Sequence, residues 1–149
     1  MMIPHHQQAV VMADLAATRA DSGLITALAA EIKAAQQPEI DQMSGWLAEW
    51  GAPVLSADDA MGSHGSHGMS GMLTDDQIDA LAAASGASFD RLFAEAMIEH
   101  HQGAIEMADQ VTGSADPRVA SLANQIISTQ EAEITQLQAF LDGQAGSSG

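Results

Sequence analysis

The chain has 149 residues and carries 4 Lys plus Arg against 20 Asp plus Glu, a formal net charge of -16. That balance excludes nucleic acid and disfavours an anionic membrane surface, because both need clustered Lys and Arg; a metal ion or a basic protein patch suits it. Cysteine is absent, so disulfides, iron–sulfur clusters, thiolate zinc sites and cysteine nucleophiles are excluded together. Ala accounts for 29 residues, Phe for 3 and Tyr for none, which favours closely packed helices over a sheet. No run of 18 apolar residues is present, so no membrane insertion is expected.

In chain order, the spacing predicts a first helix from about Pro4 to Ala20, with proline tolerated in the first turn. A second helix runs from about Ser22 to Trp50, and Pro38 inside it should bend it or break it in two. Gly51, Ala52 and Pro53 stop the pattern, and a linker rich in Gly, Ser, His and Met reaches residue 73. Thr74 and Gln77 form a capping-box pattern that starts a short helix over 74–84. A third long helix runs from about Ser88 to Thr112. Asp116 and Pro117 open a fourth, which ends near Asp142 and Gly143. Residues 143–149 are expected to be a disordered tail. The expected architecture is all-α: one domain over 1–149, a four-helix bundle of hairpins 2–50 and 88–142 joined by the linker 51–73 and the short helix.

The chain also repeats itself. Residues 2–14, MIPHHQQAVVMAD, match residues 97–109, MIEHHQGAIEMAD, at nine of thirteen positions with an offset of 95. Residues 36–47 match 130–141 at an offset of 94, pairing Gln36, Glu39, Ile40 and Leu47 with Gln130, Glu133, Ile134 and Leu141. Duplication of a helical hairpin explains this agreement. The second copy has a lead-in, Ser88–Ala96, that the first lacks, so about two turns of helix are expected to be missing before Met1.

Polar residues fall where core is expected. Gln36 and Glu39, and Gln130 and Glu133, lie on apolar stripes of the second and fourth helices. His5 and His100 lie on the stripes of the first and third, with His6 and His101 on the flanking rows. A buried carboxylate needs a cation or a donor, and histidine or a metal can serve. Met2 and His5, like Met97 and His100, are three residues apart and share a face. Met12 and Met107 lie seven residues from His5 and His100, roughly 10 Å along the axis, too far to share one ion unaided. Each hairpin therefore offers imidazoles, thioethers and a carboxylate inward, although His–Glu pairs and Met core filler would be ordinary structural uses of the same residues. Asp14 and Asp109 are expected on the exposed surface.

The linker is a second candidate. Residues 61–72 hold His64 and His67 with Met61, Met69 and Met72, on flexible Gly and Ser. Thioether with imidazole and no thiolate favours Cu(I), and imidazole also suits Cu(II). A solvated linker with incidental His and Met is the plainer alternative.

The two His-His motifs, each followed by Q-x-x-E-I and an apolar pair, make the sequence resemble the DUF305 family of small helical proteins. The resemblance implies a ferritin-like bundle and, for typical members, export from bacterial cells, with copper binding or tolerance in several. It places motif histidines at His5, His6, His100 and His101, motif methionines at Met2, Met12, Met97 and Met107, and acidic positions at Glu39 and Glu133. It also implies a periplasmic or extracellular location, with a signal segment upstream of this chain.

The function expected is non-catalytic copper binding, Cu(I) and/or Cu(II), in sequestration or in exchange with a copper-delivery or copper-accepting protein. A ferritin-like metal oxidase would need Glu-x-x-His on two helices. Here the residues three before His5 and His100 are Met2 and Met97, so that class is disfavoured. The other alternative is a metal-free interaction bundle, a homodimer through exposed Trp46 and Trp50. No hydrolytic constellation or phosphate loop stands out, and no catalytic residue is assigned.

Overall fold

The three- and four-residue apolar steps are realised as helix. The computed structural model describes residues 1–54 and 70–147, and these contain five helices and no strand. They are α1 (Met2–Arg19), α2 (Gly23–Glu49), α3 (Asp75–Ala83), α4 (Gly86–Asp109) and α5 (Pro117–Gly146). The linker candidates Met61, His64, His67 and Met69 lie outside the described residues.

Local chemistry sets the boundaries. The Ser22 hydroxyl accepts the Leu24 N–H at the start of α2. Thr74 and Gln77 form both bonds of the capping box at α3. Asp116 accepts from the Arg118 N–H, with Pro117 in the first turn of α5. α2 runs unbroken through Pro38, because that ring and Ala34, whose carbonyl loses its partner, are both exposed to water. Three helices differ in their boundaries from expectation. α1 begins at Met2 rather than Pro4. α4 begins at Gly86 and stops at Asp109, where Val111 and Thr112 make i→i−3 bonds in a tightened turn. α5 continues to Gly146, four residues into the expected tail, since extending a formed helix fixes one residue per added bond.

α1 packs mainly on α2, and α4 on α5, as two hairpins; α1 against α4 joins them, while α2 and α5 scarcely meet. The chain ends show that α1 and α4 run antiparallel. The buried Asp90 carboxylate, early in α4, accepts the Asp21 and Ser22 N–H groups just past α1, at 3.1 and 2.8 Å. The larger apolar cluster gathers Met12, Ala16, Ile25, Leu28, Ile32, Phe89, Phe93 and Met97. A smaller one holds Trp46, Ala108, Leu122, Ala123 and Ile126. Trp46, which the interaction-bundle alternative needs at the surface, is 8% exposed because it anchors this second cluster; Trp50 is 51% exposed. No helix among the described residues is long and apolar enough to cross a membrane.

Candidate metal centre

Where α1 crosses α4, the His5 and His100 rings lie against each other with centroids 3.7 Å apart and planes tilted by 32°. Both side chains are fully buried, and none of their four ring nitrogens has a hydrogen-bond partner. Burial first, and then the neighbouring His6, push the His5 imidazolium down to about 3. The backbone at Ser70 lies close enough to oppose that shift, without the geometry of a hydrogen bond. Burial, followed by His5 and His101, holds His100 well below the usual imidazole range. Both rings are therefore neutral at pH 7, each with a stranded donor and a stranded acceptor.

His6 and His101 flank this pair with matching geometry. His6 Nε2 is 2.7 Å from Glu39 Oε2, and His101 Nε2 is 2.6 Å from Glu133 Oε2. Each bond joins the two helices of one hairpin. In both rings the Nδ1 is buried and unpartnered. Gln36, one turn before Glu39, has neither amide atom bonded, and Gln130 has a free carbonyl oxygen. Among the described residues, the buried side-chain polar atoms without partners, apart from Arg19 Nε, thus belong to six imidazole and amide groups: His5, His6, Gln36, His100, His101 and Gln130.

The methionines divide. Met12 and Met97 are fully buried in the larger apolar cluster, Met2 packs on the smaller one, and Met107 is half-buried. Among the described residues no group of three His, Cys, Asp or Glu is arranged to hold a metal ion.

A strap from the end of the linker covers the histidines. Gln8 donates to the Leu73 carbonyl at 2.9 Å and accepts the Leu73 N–H at 2.8 Å. Ser70 donates its hydroxyl to Glu106. Gly71, with φ +75°, passes so close to α4 that a Cβ there would lie 2.5 Å from the Glu99 carbonyl oxygen and 3.1 Å from the His100 Cα. Met72 is half-buried on this strap. Sequence reasoning did not single out Gln8, Ser70 or Gly103. The available signal was that Gln8 corresponds to Gly103 at one of the four repeat positions that are not identical. Asp14 and Asp109 are exposed, Asp14 in an ion pair with Lys33.

The model of DUF305, a domain of unknown function, matches residues 1–141. The chain belongs to the DUF305 family. Among solved structures, a DUF305 protein from Streptomyces coelicolor is 31% identical, with a TM-score of 0.86 over 97% of this chain and 89% of that one. A DUF305 fragment from Deinococcus radiodurans is 31% identical, with a TM-score of 0.81 over 95% of this chain and 90% of that one. CopM in its Cu(II)-bound form is 38% identical, with a TM-score of 0.82 over 96% of this chain and 92% of that one. CopM has also been solved with Cu(I) and with silver bound. No curated protein matches this DUF305 chain significantly.

Proposed function

We propose that this DUF305 protein binds copper as cargo, sequestering it or passing it to or from a partner protein, and that it catalyses no reaction. The observation that carries the reading is the His5–His100 pair, whose four ring nitrogens are buried without partners. A buried polar group left unpaired costs about 1–3 kcal/mol. A cation held by the acceptor nitrogens offsets part of that cost.

The outer histidines fit the same purpose. A metal-bound histidine commonly gives its second ring nitrogen to a carboxylate, which fixes ring orientation. His6 and His101 already have their Nε2 on Glu39 and Glu133, with Nδ1 free. Glu39 and Glu133 then orient the imidazoles instead of binding the ion. Met2 and Met97 supply soft thioethers on the same helices, a donor set that favours Cu(I). The net charge of -16 draws cations toward the protein. The copper- and silver-bound forms of CopM support this reading. The Streptomyces coelicolor relative, named as a candidate secreted protein, supports a location outside the cytoplasm. Because no three-ligand group is preset among the described residues, binding should part the two tilted rings.

The test is an anaerobic Cu(I) titration of metal-free protein against a chromophoric chelator. A His5→Ala, His100→Ala double variant and a chain lacking residues 61–72 are run beside it, each checked for helicity. Competition lost in the folded double variant supports a bundle site. Loss only in the deletion moves the copper to the linker. No competition by the intact chain would sink the Cu(I) reading.

A further inference from the structure

The two copies of the repeat contribute alike to the histidine site, but unlike to the strap over it. His5, His6, Gln36 and Glu39 have identical repeat equivalents in His100, His101, Gln130 and Glu133. Residues 2–14 and 97–109 differ at four positions, and two of these hold the strap. At one, Gln8 grips Leu73 with two bonds, while its equivalent Gly103 brings the Ser70 carbonyl and the Gly71 Cα into contact with α4. At the other, Glu106 accepts from the Ser70 hydroxyl, while its equivalent Val11 is exposed. The strap thus bridges α4 and α1 where they cross, and its Ser70 backbone lies close to the His5 ring.

His5 and His100 are fully buried, so an ion reaches them only when some part of the fold moves. The helices are costly to part. Beside the pair on α1 and α4, Ala9, Met12, Phe93 and Met97 are fully buried in the larger apolar cluster, which spans both hairpins. Parting them would expose that apolar surface to water. The strap is held differently. Ser70 is exposed, Gly71 and Met72 are half-buried, and only Leu73 belongs to the cluster. Its side-chain bonds are exchanged for bonds to water when it lifts, so the net cost is small. Segments with few buried apolar contacts are the ones that open first.

We propose that residues 70–73 gate the histidine pair: Cu(I) enters and leaves beneath the strap, which lifts from Gln8, Gly103 and Glu106 while the long helices stay packed. The strap then sets how fast the ion exchanges, and the histidines set how tightly it is held. The identity of the ion rests on the copper reading above. The opening itself does not, because it also occurs in the metal-free chain.

The test labels imidazoles of the metal-free protein with diethyl pyrocarbonate and reads His5 and His100 by mass spectrometry. Gln8→Ala removes the grip on Leu73. Gly71→Ala lifts the strap by a second route, since its Cβ would meet the Glu99 carbonyl. Leu122→Ala, in the smaller apolar cluster, lowers stability without touching the strap. Each variant is first shown to be helical. We expect both strap variants to label roughly tenfold faster or more, the factor for losing the bonds that close the gate. Leu122→Ala should stay within about twofold of the native chain. Release of Cu(I) to a chelator should quicken with the labelling, while Kd changes far less because uptake quickens too. Unchanged labelling in both strap variants overturns the gate. So does equal acceleration in Leu122→Ala, which would mean that the helices part instead. Labelling that follows the strap in a chain that takes up no Cu(I) would sink the copper reading and leave the gate standing.

Discussion

Gly71 and Gly103 cross with their backbones in direct contact: a Cβ on Gly103 would lie 2.9 Å from the Gly71 Cα and collide with the Ser70 carbonyl. The end of the linker thereby lies flat on α4, one turn past His100. The obstacle on both sides is backbone, which has no rotamer by which to yield.

Gly103→Ala is therefore expected to destabilise the protein by about 1–3 kcal/mol, the usual range for overpacking. Urea unfolding measures it. Alanine ordinarily favours a helix over glycine by roughly 1 kcal/mol, so a neutral or stabilising result would show that the strap moves away freely.

Gln8 holds the same strap with two bonds to Leu73. Gln8→Ala leaves the Leu73 N–H and carbonyl without partners in a buried setting, a loss of about 2 kcal/mol. Hydrogen exchange should show the Leu73 amide protected in the native chain and released in the variant, while amides in the middle of α2 stay protected.

The buried rings of His5 and His100 predict acid sensitivity of the metal-free protein. The folded state keeps both neutral to far lower pH than the unfolded chain, in which histidine protonates near 6.5. Between those limits the unfolded state binds more protons, so stability falls as pH falls. The window for His5 runs from about 6.5 down to about 3. The slope should approach roughly 1.4 kcal/mol per pH unit for each histidine. Denaturant midpoints at pH 7, 5.5 and 4.5 test this, and a flat profile across that range would contradict it.

On the copper reading, Glu39→Gln and Glu133→Gln keep the shape of the side chain but remove the charge that orients His6 and His101. Each should weaken Cu(I) binding by about 10- to 100-fold, the usual effect of losing such a partner. The same chelator competition measures it. Unchanged affinity in both variants would make the two His–Glu pairs purely structural.

The duplicated motif carries much of this in one dimension. The two HH doublets and the Q-x-x-E-I runs identify DUF305 membership, and steps of three and four place His5, His100, Glu39 and Glu133 on inward stripes. Helix type and inward facing were legible because both depend on spacing within a single helix. The same spacing puts Trp46 on the apolar stripe of α2, but it could not show which residues Trp46 meets, because Leu122 and Ile126 lie on another hairpin.

Pairing across helices was decided by the tertiary structure. The sequence offers His5 and His6 as neighbours about 100° apart, without saying which one meets a carboxylate. The antiparallel crossing of α1 and α4 answers it: His5 and His100 meet each other, and His6 and His101 are left to the glutamates of their own hairpins. Gln8, Ser70 and Gly71 became visible for the same reason. Their partners are 65, 36 and about thirty residues away in sequence, and no local pattern encodes a contact of that span. What the chain determines alone is periodicity and composition. Which side chains are stranded without partners depends on how the two hairpins cross.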